Sequence, residues 1–157
     1  MKFCIIKIKI QISVILALLI TLLFTSQVSA QSAVIYKGRY GYDAIAHIED
    51  DVIYKGRYGY DAIFHIDDNV IYKGRYGYDA VAHFDDGVLY KGRYGYDAIF
   101  HIDDNVIYKG RYGYDAVAHF DDGVLYKGRY GYDAILHVDG YLTKTQLFAI
   151  LLIDLVY

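Results

Sequence analysis

VIYKGRYGYDAIFHIDDN, residues 52–69, is followed at once by VIYKGRYGYDAVAHFDDG, residues 70–87. The pair then recurs over residues 88–123 with a single change, Leu89 in place of Ile53. A more divergent copy precedes them (residues 34–51) and another follows (residues 124–141), so an 18-residue unit occurs six times. A unit this short cannot bury a core alone and gains stability only by packing on its neighbours. The near-identity of the copies implies recent duplication, and with it the expectation that copy number can vary without loss of the fold.

Each unit holds two β-prone runs, VIYKG and AIFHI in the copy at 52–69, rich in β-branched and aromatic residues. Arg57-Tyr58-Gly59-Tyr60-Asp61 separates them, and Asp67-Asp68-Asn69 (Asp-Asp-Gly in alternate copies) follows. A type I turn plus one residue at positive φ closes a three-residue hairpin, with Asn69, Gly87, Asn105 and Gly123 at the third place. Asp51 of the first copy suits that place less well. This loop pairs Ile66 with Val70 and Phe64 with Tyr72. A five-residue loop at 57–61 pairs Gly56 with Ala62, Tyr54 with Phe64 and Val52 with Ile66. Both lengths are odd, so the same rows continue through both connections. One row then reads Ala46, Tyr54, Phe64, Tyr72, Ala82, Tyr90 and onward to Leu136. Where it carries Ala82 or Ala118, a Phe stands two residues later (Phe84, Phe120), which reads as volume compensation in a packed face.

The expected fold is all-β: tandem hairpins in an antiparallel meander that twists or rolls up on its apolar face. A β-solenoid with one repeat per coil is the alternative. The tail, 142–157, differs. Thr143 and Gln146 stand in capping-box spacing and Leu142 and Leu147 in staple spacing. Residues 146–157 are apolar nearly all round, which predicts a buried helix laid over the open end or face of the sheet as a cap. The alternation of Leu151, Ile153, Leu155 and Tyr157 keeps a final strand as the competing reading. The segment DDGVLYKG, residues 85–92, resembles MORN repeats, which are antiparallel hairpin arrays with a YxG core. The resemblance covers about half of each unit, the units here are shorter, and that family's closing glycine pattern is missing.

Residues 1–30 read as a signal peptide. Lys2, Lys7 and Lys9 give the positive start, Ile12 to Phe24 is almost wholly apolar, and Val28-Ser29-Ala30 places cleavage between Ala30 and Gln31. An uncleaved anchor is the alternative and would be the chain's one link to a membrane. The only cysteine, Cys4, lies in this leader, so the repeats at 31–141 hold no disulfide. Loss of three lysines takes the formal charge from −3 to −6, which argues against nucleic acid as a partner. The expected location is secreted, periplasmic or cell surface.

Residues 34–141 contain no Ser, Thr, Cys or Gln and a single glutamate, Glu49. They offer no Ser, Thr or Cys nucleophile for a histidine base, and identical copies do not build one asymmetric pocket, so the chain reads as no enzyme, without cofactors. His47, His65, His83, His101, His119 and His137 recur once per unit. In a meander they lie two strands apart, about 9 to 10 Å. That is too far to share a metal with bonds of about 2.0 to 2.1 Å, so no metal site is assigned. The candidate ligand-binding residues are the loop tyrosines: Tyr40, Tyr42, Tyr58, Tyr60, Tyr76, Tyr78, Tyr94, Tyr96, Tyr112, Tyr114, Tyr130 and Tyr132. With Arg57, Asp61 and their equivalents they would form a multivalent polar-aromatic array. The bland reading lays them flat on the sheet as loop ballast. The Tyr/Gly character is similar to glucan- and choline-binding repeats, although those carry Trp. An outer-membrane barrel fits less well, since spanning strands need about 9 to 11 residues. The sequence therefore points to an exported scaffold or adhesion-type surface for an unknown protein partner. A glycan-binding module is the second reading, and a calcium-binding array built on the Asp-Asp turns the third.

Overall fold

A computed structural model describes residues 32–156; the leader, Cys4 and the expected cleavage site lie outside these residues. The strands run β1 (Ser32–Lys37), β2 (Ala44–Glu49), β3 (Val52–Lys55), β4 (Ala62–Asp67), β5 (Val70–Lys73) and β6 (Ala80–Asp85). They continue as β7 (Val88–Lys91), β8 (Ala98–Asp103), β9 (Val106–Lys109), β10 (Ala116–Asp121), β11 (Val124–Lys127) and β12 (Ala134–Gly140). One helix follows, α1 (Lys144–Val156). Each strand pairs antiparallel with its sequence neighbours, and β12 pairs with β1, so the meander closes into a twelve-stranded barrel. The all-antiparallel ladder excludes a solenoid. Closure also removes the ground for a freely variable copy number, because strand count sets barrel width.

The register differs from the expected one by a residue at both connections. The hairpin loop has two residues, not three: Asp68 and Asn69 both take positive φ, 44° and 66°. That is a type I′ turn, whose twist matches the flanking strands better than a type I turn. Asp67 therefore pairs with Val70, Ile66 with Ile71 and His65 with Tyr72. At the longer loop Val52 pairs with His65, Ile53 with Phe64 and Tyr54 with Ala62, and a bulge leaves Ile63 as the extra residue. A shift of one residue moves a side chain to the other face. The expected aromatic row thus divides between the two faces. Tyr54 and Tyr72 stand on the outer wall opposite His47 and His65. Phe64 and Ala82 stand on the inner wall opposite Ile53 and Ile71.

The inner wall is one cluster to which all twelve strands contribute, and Leu147 to Leu152 of α1 belong to it. The helix does not cap an open end. It runs inside the barrel, which explains why Gln146 to Leu152 is buried all round. At one rim Gln146 Nε2 donates to Asp51 Oδ1 (2.9 Å) and Thr145 Oγ1 to Asn69 Oδ1 (3.3 Å), both acceptors being hairpin-turn residues. The expected capping box forms: Gln146 N–H donates to Thr143 Oγ1 (3.1 Å) and Thr143 N–H to Gln146 Oε1 (2.9 Å). At the other rim Ile153 lines a cavity of about 620 Å3 with Ile45, Ile63 and Ile135, bordered by Lys37 and Lys55. Eight strands close around little more than their own side chains, so twelve leave room for a helix. Alternation of Ala46, Phe64, Ala82, Phe100 and Ala118 on the inner wall shapes that room. Phe84 fills space beside Ala82 and meets Phe148 of α1, ring centroids 5.4 Å apart.

Candidate functional site

Apart from the mostly apolar cavity beside Ile153, core and helix occupy the inner wall, and the polar and aromatic groups stand on the outer wall and the loops. Each loop leaves its short strand through a glycine at positive φ, Gly56 at 71°. The Gly56 N–H donates to the Ile45 carbonyl (2.8 Å), and the Lys55 N–H to the Asp61 carbonyl (2.9 Å). A Cβ at Gly59 would collide with the Lys55 carbonyl, so the second glycine of RYGYD is a steric requirement. These two glycines turn the loop back on itself and force the tyrosines between and beyond them outward.

The twelve loop tyrosines do not lie on the sheet. Tyr58 is 80% and Tyr60 94% exposed, and the equivalent pairs in the other units are as open. The arginine of each loop stands over the ring of the next residue, Arg57 over Tyr58 at 5.4 Å and Arg75 over Tyr76 at 5.5 Å. Arg75 also reaches back across β4 to stand 5.9 Å from the ring of Tyr54; Arg111 does the same to Tyr90, and Arg39 to Tyr126. The last of these contacts spans the closure between the first and last units.

The outer wall holds an arrangement that sequence reasoning missed. His47 lies on Tyr54 with centroids 4.9 Å apart and rings 13° from parallel, and His65 lies likewise on Tyr72 at 4.9 Å and 11°. The Nδ1 of His47 is 2.7 Å from the Gly56 carbonyl and that of His65 2.7 Å from the Gly74 carbonyl. A carbonyl only accepts, so Nδ1 carries the proton of this bond. In five units, those of His47, His65, His83, His101 and His119, the histidine thus pins the glycine from which the next loop springs. Recognising Asp-Asn and Asp-Gly as two-residue turns would have put His65 opposite Tyr72 from the sequence alone.

Beside the β2–β3 turn, between the loop after β5 and the start of the loop after β7, the wall forms a groove of about 630 Å3 whose lining includes Asp51, His65, Asp67, Tyr72, Arg75 and Tyr76, with Asp50, Tyr78 and Arg93 at its edges. Among the described residues no group of three or more His, Cys, Asp or Glu converges as metal ligands would.

A family model described as 6-fold beta flower protein matches residues 35–151. That span covers all six loops, every strand except the first three residues of β1, and α1 as far as Leu151. The match is to this family and not to MORN repeats, and the common ground is a repeated β architecture. No curated protein and no solved structure matches the chain.

Proposed function

The chain belongs to the 6-fold beta flower family, and from that premise we propose that it is a non-enzymatic scaffold whose six loops present a multivalent, adhesion-type binding surface to a protein partner. The observation that carries this is the exposure of paired tyrosines in every loop, with Tyr60 94% open to solvent. Large apolar rings left in water mark interaction sites, and tyrosine gives contact area at little cost in side-chain entropy. Arginine beside each pair adds a second residue type favoured in binding hot spots. Repetition supports the reading, since six weak contacts on one rigid barrel gain through effective concentration. Export to the cell surface or beyond rests on the leader, and N-terminal sequencing of the exported protein should begin at Gln31.

The test replaces Tyr58 and Tyr60, and their equivalents, by Ser in one, two, four and all six units. Capture of cell-envelope proteins should fall steeply with the number of units altered, while circular dichroism stays that of the parent. Full retention of capture by the six-unit variant refutes the proposal. Unfolding of that variant refutes it too, because the tyrosines would then be structural.

A further inference from the structure

We infer that the groove bounded by the β2–β3 turn, the loop after β5 and the start of the loop after β7 is a binding site for a neutral sugar ring, a ligand class separate from the protein partner of the loop tips. Its floor is preformed. His65 lies flat on Tyr72 at 4.9 Å, and its Nδ1 is fixed on the Gly74 carbonyl at 2.7 Å. One wall carries the open rings of Tyr76 and Tyr78, and Asp51 and Asp67 also line the groove. Asp51 is held in place by the Gln146 amide at 2.9 Å. Arg75 is set between two rings, 5.9 Å from Tyr54 and 5.5 Å from Tyr76. Faces of aromatic rings hold the guanidinium while leaving its N–H edges free to donate.

The chemistry on this surface selects the ligand class. Carboxylates that only accept, guanidinium groups that only donate and aromatic faces share one space. A simple anion would meet the carboxylates of Asp50, Asp51 and Asp67 as well as Arg75 and Arg93. An apolar ligand would strand the same groups without hydrogen bonds. A pyranose has hydroxyls that donate and accept around its edge and a C–H face that lies on a tyrosine. The volume, about 630 Å3, falls in the range of small-molecule sites. Floor and arginine are both held before any ligand arrives, which lowers the ordering cost of binding. The same residue types recur at 18-residue steps, with Asn or Gly in place of Asp51, so weaker versions of the groove are available around the barrel.

The test titrates the full chain with methyl glycosides of glucose, galactose and mannose and with the corresponding disaccharides. Calorimetry measures affinity, and saturation-transfer NMR finds the sugar protons in contact. At least one glycoside should bind with a dissociation constant on the order of 1 mM, with transfer strongest on one C–H face of the ring. Arg75→Gln, made together with the same change in the other five loops, should weaken binding about tenfold or more and leave the circular dichroism unchanged. These arginines are solvent-exposed, so the variant keeps its core. The inference is overturned if no glycoside binds the parent, or if the arginine variant binds as the parent does. Envelope-protein capture by the loop tyrosines, measured on the same samples, tells failure of the groove from failure of the loop-tip reading.

Discussion

Phe148→Ala tests whether α1 is inside the barrel, and its magnitude can be worked from the packing. Phe148 is fully buried, with its ring 5.4 Å from Phe84 of β6 and 6.4 Å from Phe100 of β8. Removing a buried Phe side chain costs about 3–5 kcal/mol, including the loss of such ring pairs. The described residues, 32–156, number about 125. At roughly 2.1 cal/mol/K per residue their unfolding entropy is about 0.26 kcal/mol/K, so Tm should fall by about 11–19 °C. Thermal melts followed by far-UV circular dichroism give the shift. The sharper measurement is the cycle with Phe84→Ala. Phe84 packs on the inner-wall core, so a helix outside the barrel could not touch it. A coupling of about 0.5–1.5 kcal/mol is expected between the two. A Tm within about 3 °C of the parent, or additivity within about 0.3 kcal/mol, would refute the placement of α1.

Gly87→Val and Asn69→Val should each destabilise by about 1–3 kcal/mol, the glycine change more, because φ is 80° and 66° there and a β-branched residue resists both; unchanged melts for both would remove the type I′ assignment. Gln146→Ala leaves the Asp51 carboxylate without its amide donor and Thr143 without its cap, an expected loss of about 1–3 kcal/mol by denaturant titration, and a neutral result would mean that Asp51 does not hold the helix. Deletion of residues 88–123 removes four strands, β7 to β10, and an eight-stranded barrel has no room for α1, so the product should be insoluble or expose α1 to limited proteolysis; a soluble, protease-resistant product would refute the coupling of strand count to the buried helix.

Much of this fold can be read from one unit. Two β-prone runs and a turn signal in fixed phase give the antiparallel hairpin, and Thr143 with Gln146 gives the helix start. The register could not be read from loop length, because two readings of the same turn residues differ by one position. A type I turn with one positive φ and a type I′ turn with two both accept Asn69 or Gly87. What separates them is φ at Asp68, which is 44° and leaves no mark on sequence beyond an Asp that tolerates it. The second error came from Ile63, a bulge residue that adds one to the longer loop's count. Together they put tyrosine and phenylalanine on one face when they belong to opposite faces. Closure was hidden for another reason. The β1–β12 pairing, with Tyr36 opposite His137 and Lys37 opposite Leu136, repeats the register of the internal hairpins without a turn to announce it. The loop that carries the candidate tyrosines was legible from its glycines, but the exposure of the rings was not, since tyrosines laid flat on the sheet suit the same sequence. The groove was not, since Asp51, His65 and Arg75 come from three different units.

A six-fold repeat poses a problem that its own regularity cannot solve. A single helix inside a near-symmetric lumen has several near-equivalent rotational settings, and a unique native state needs one to win. The tie is broken where the copies differ. Asp51 is the one aspartate at a position that is Asn or Gly in copies two to five, and its carboxylate receives the amide of the fully buried Gln146. Asn69, in the neighbouring turn, receives the Thr145 hydroxyl. Phe84 and Phe100 then bracket Phe148 from the wall, where the small side chain of Ala82 leaves space. The residue that fits the turn least well in sequence terms is therefore the one that orients the core. The same side chain reaches the outer groove, so the first turn joins the setting of the helix to the shape of the surface offered to a ligand.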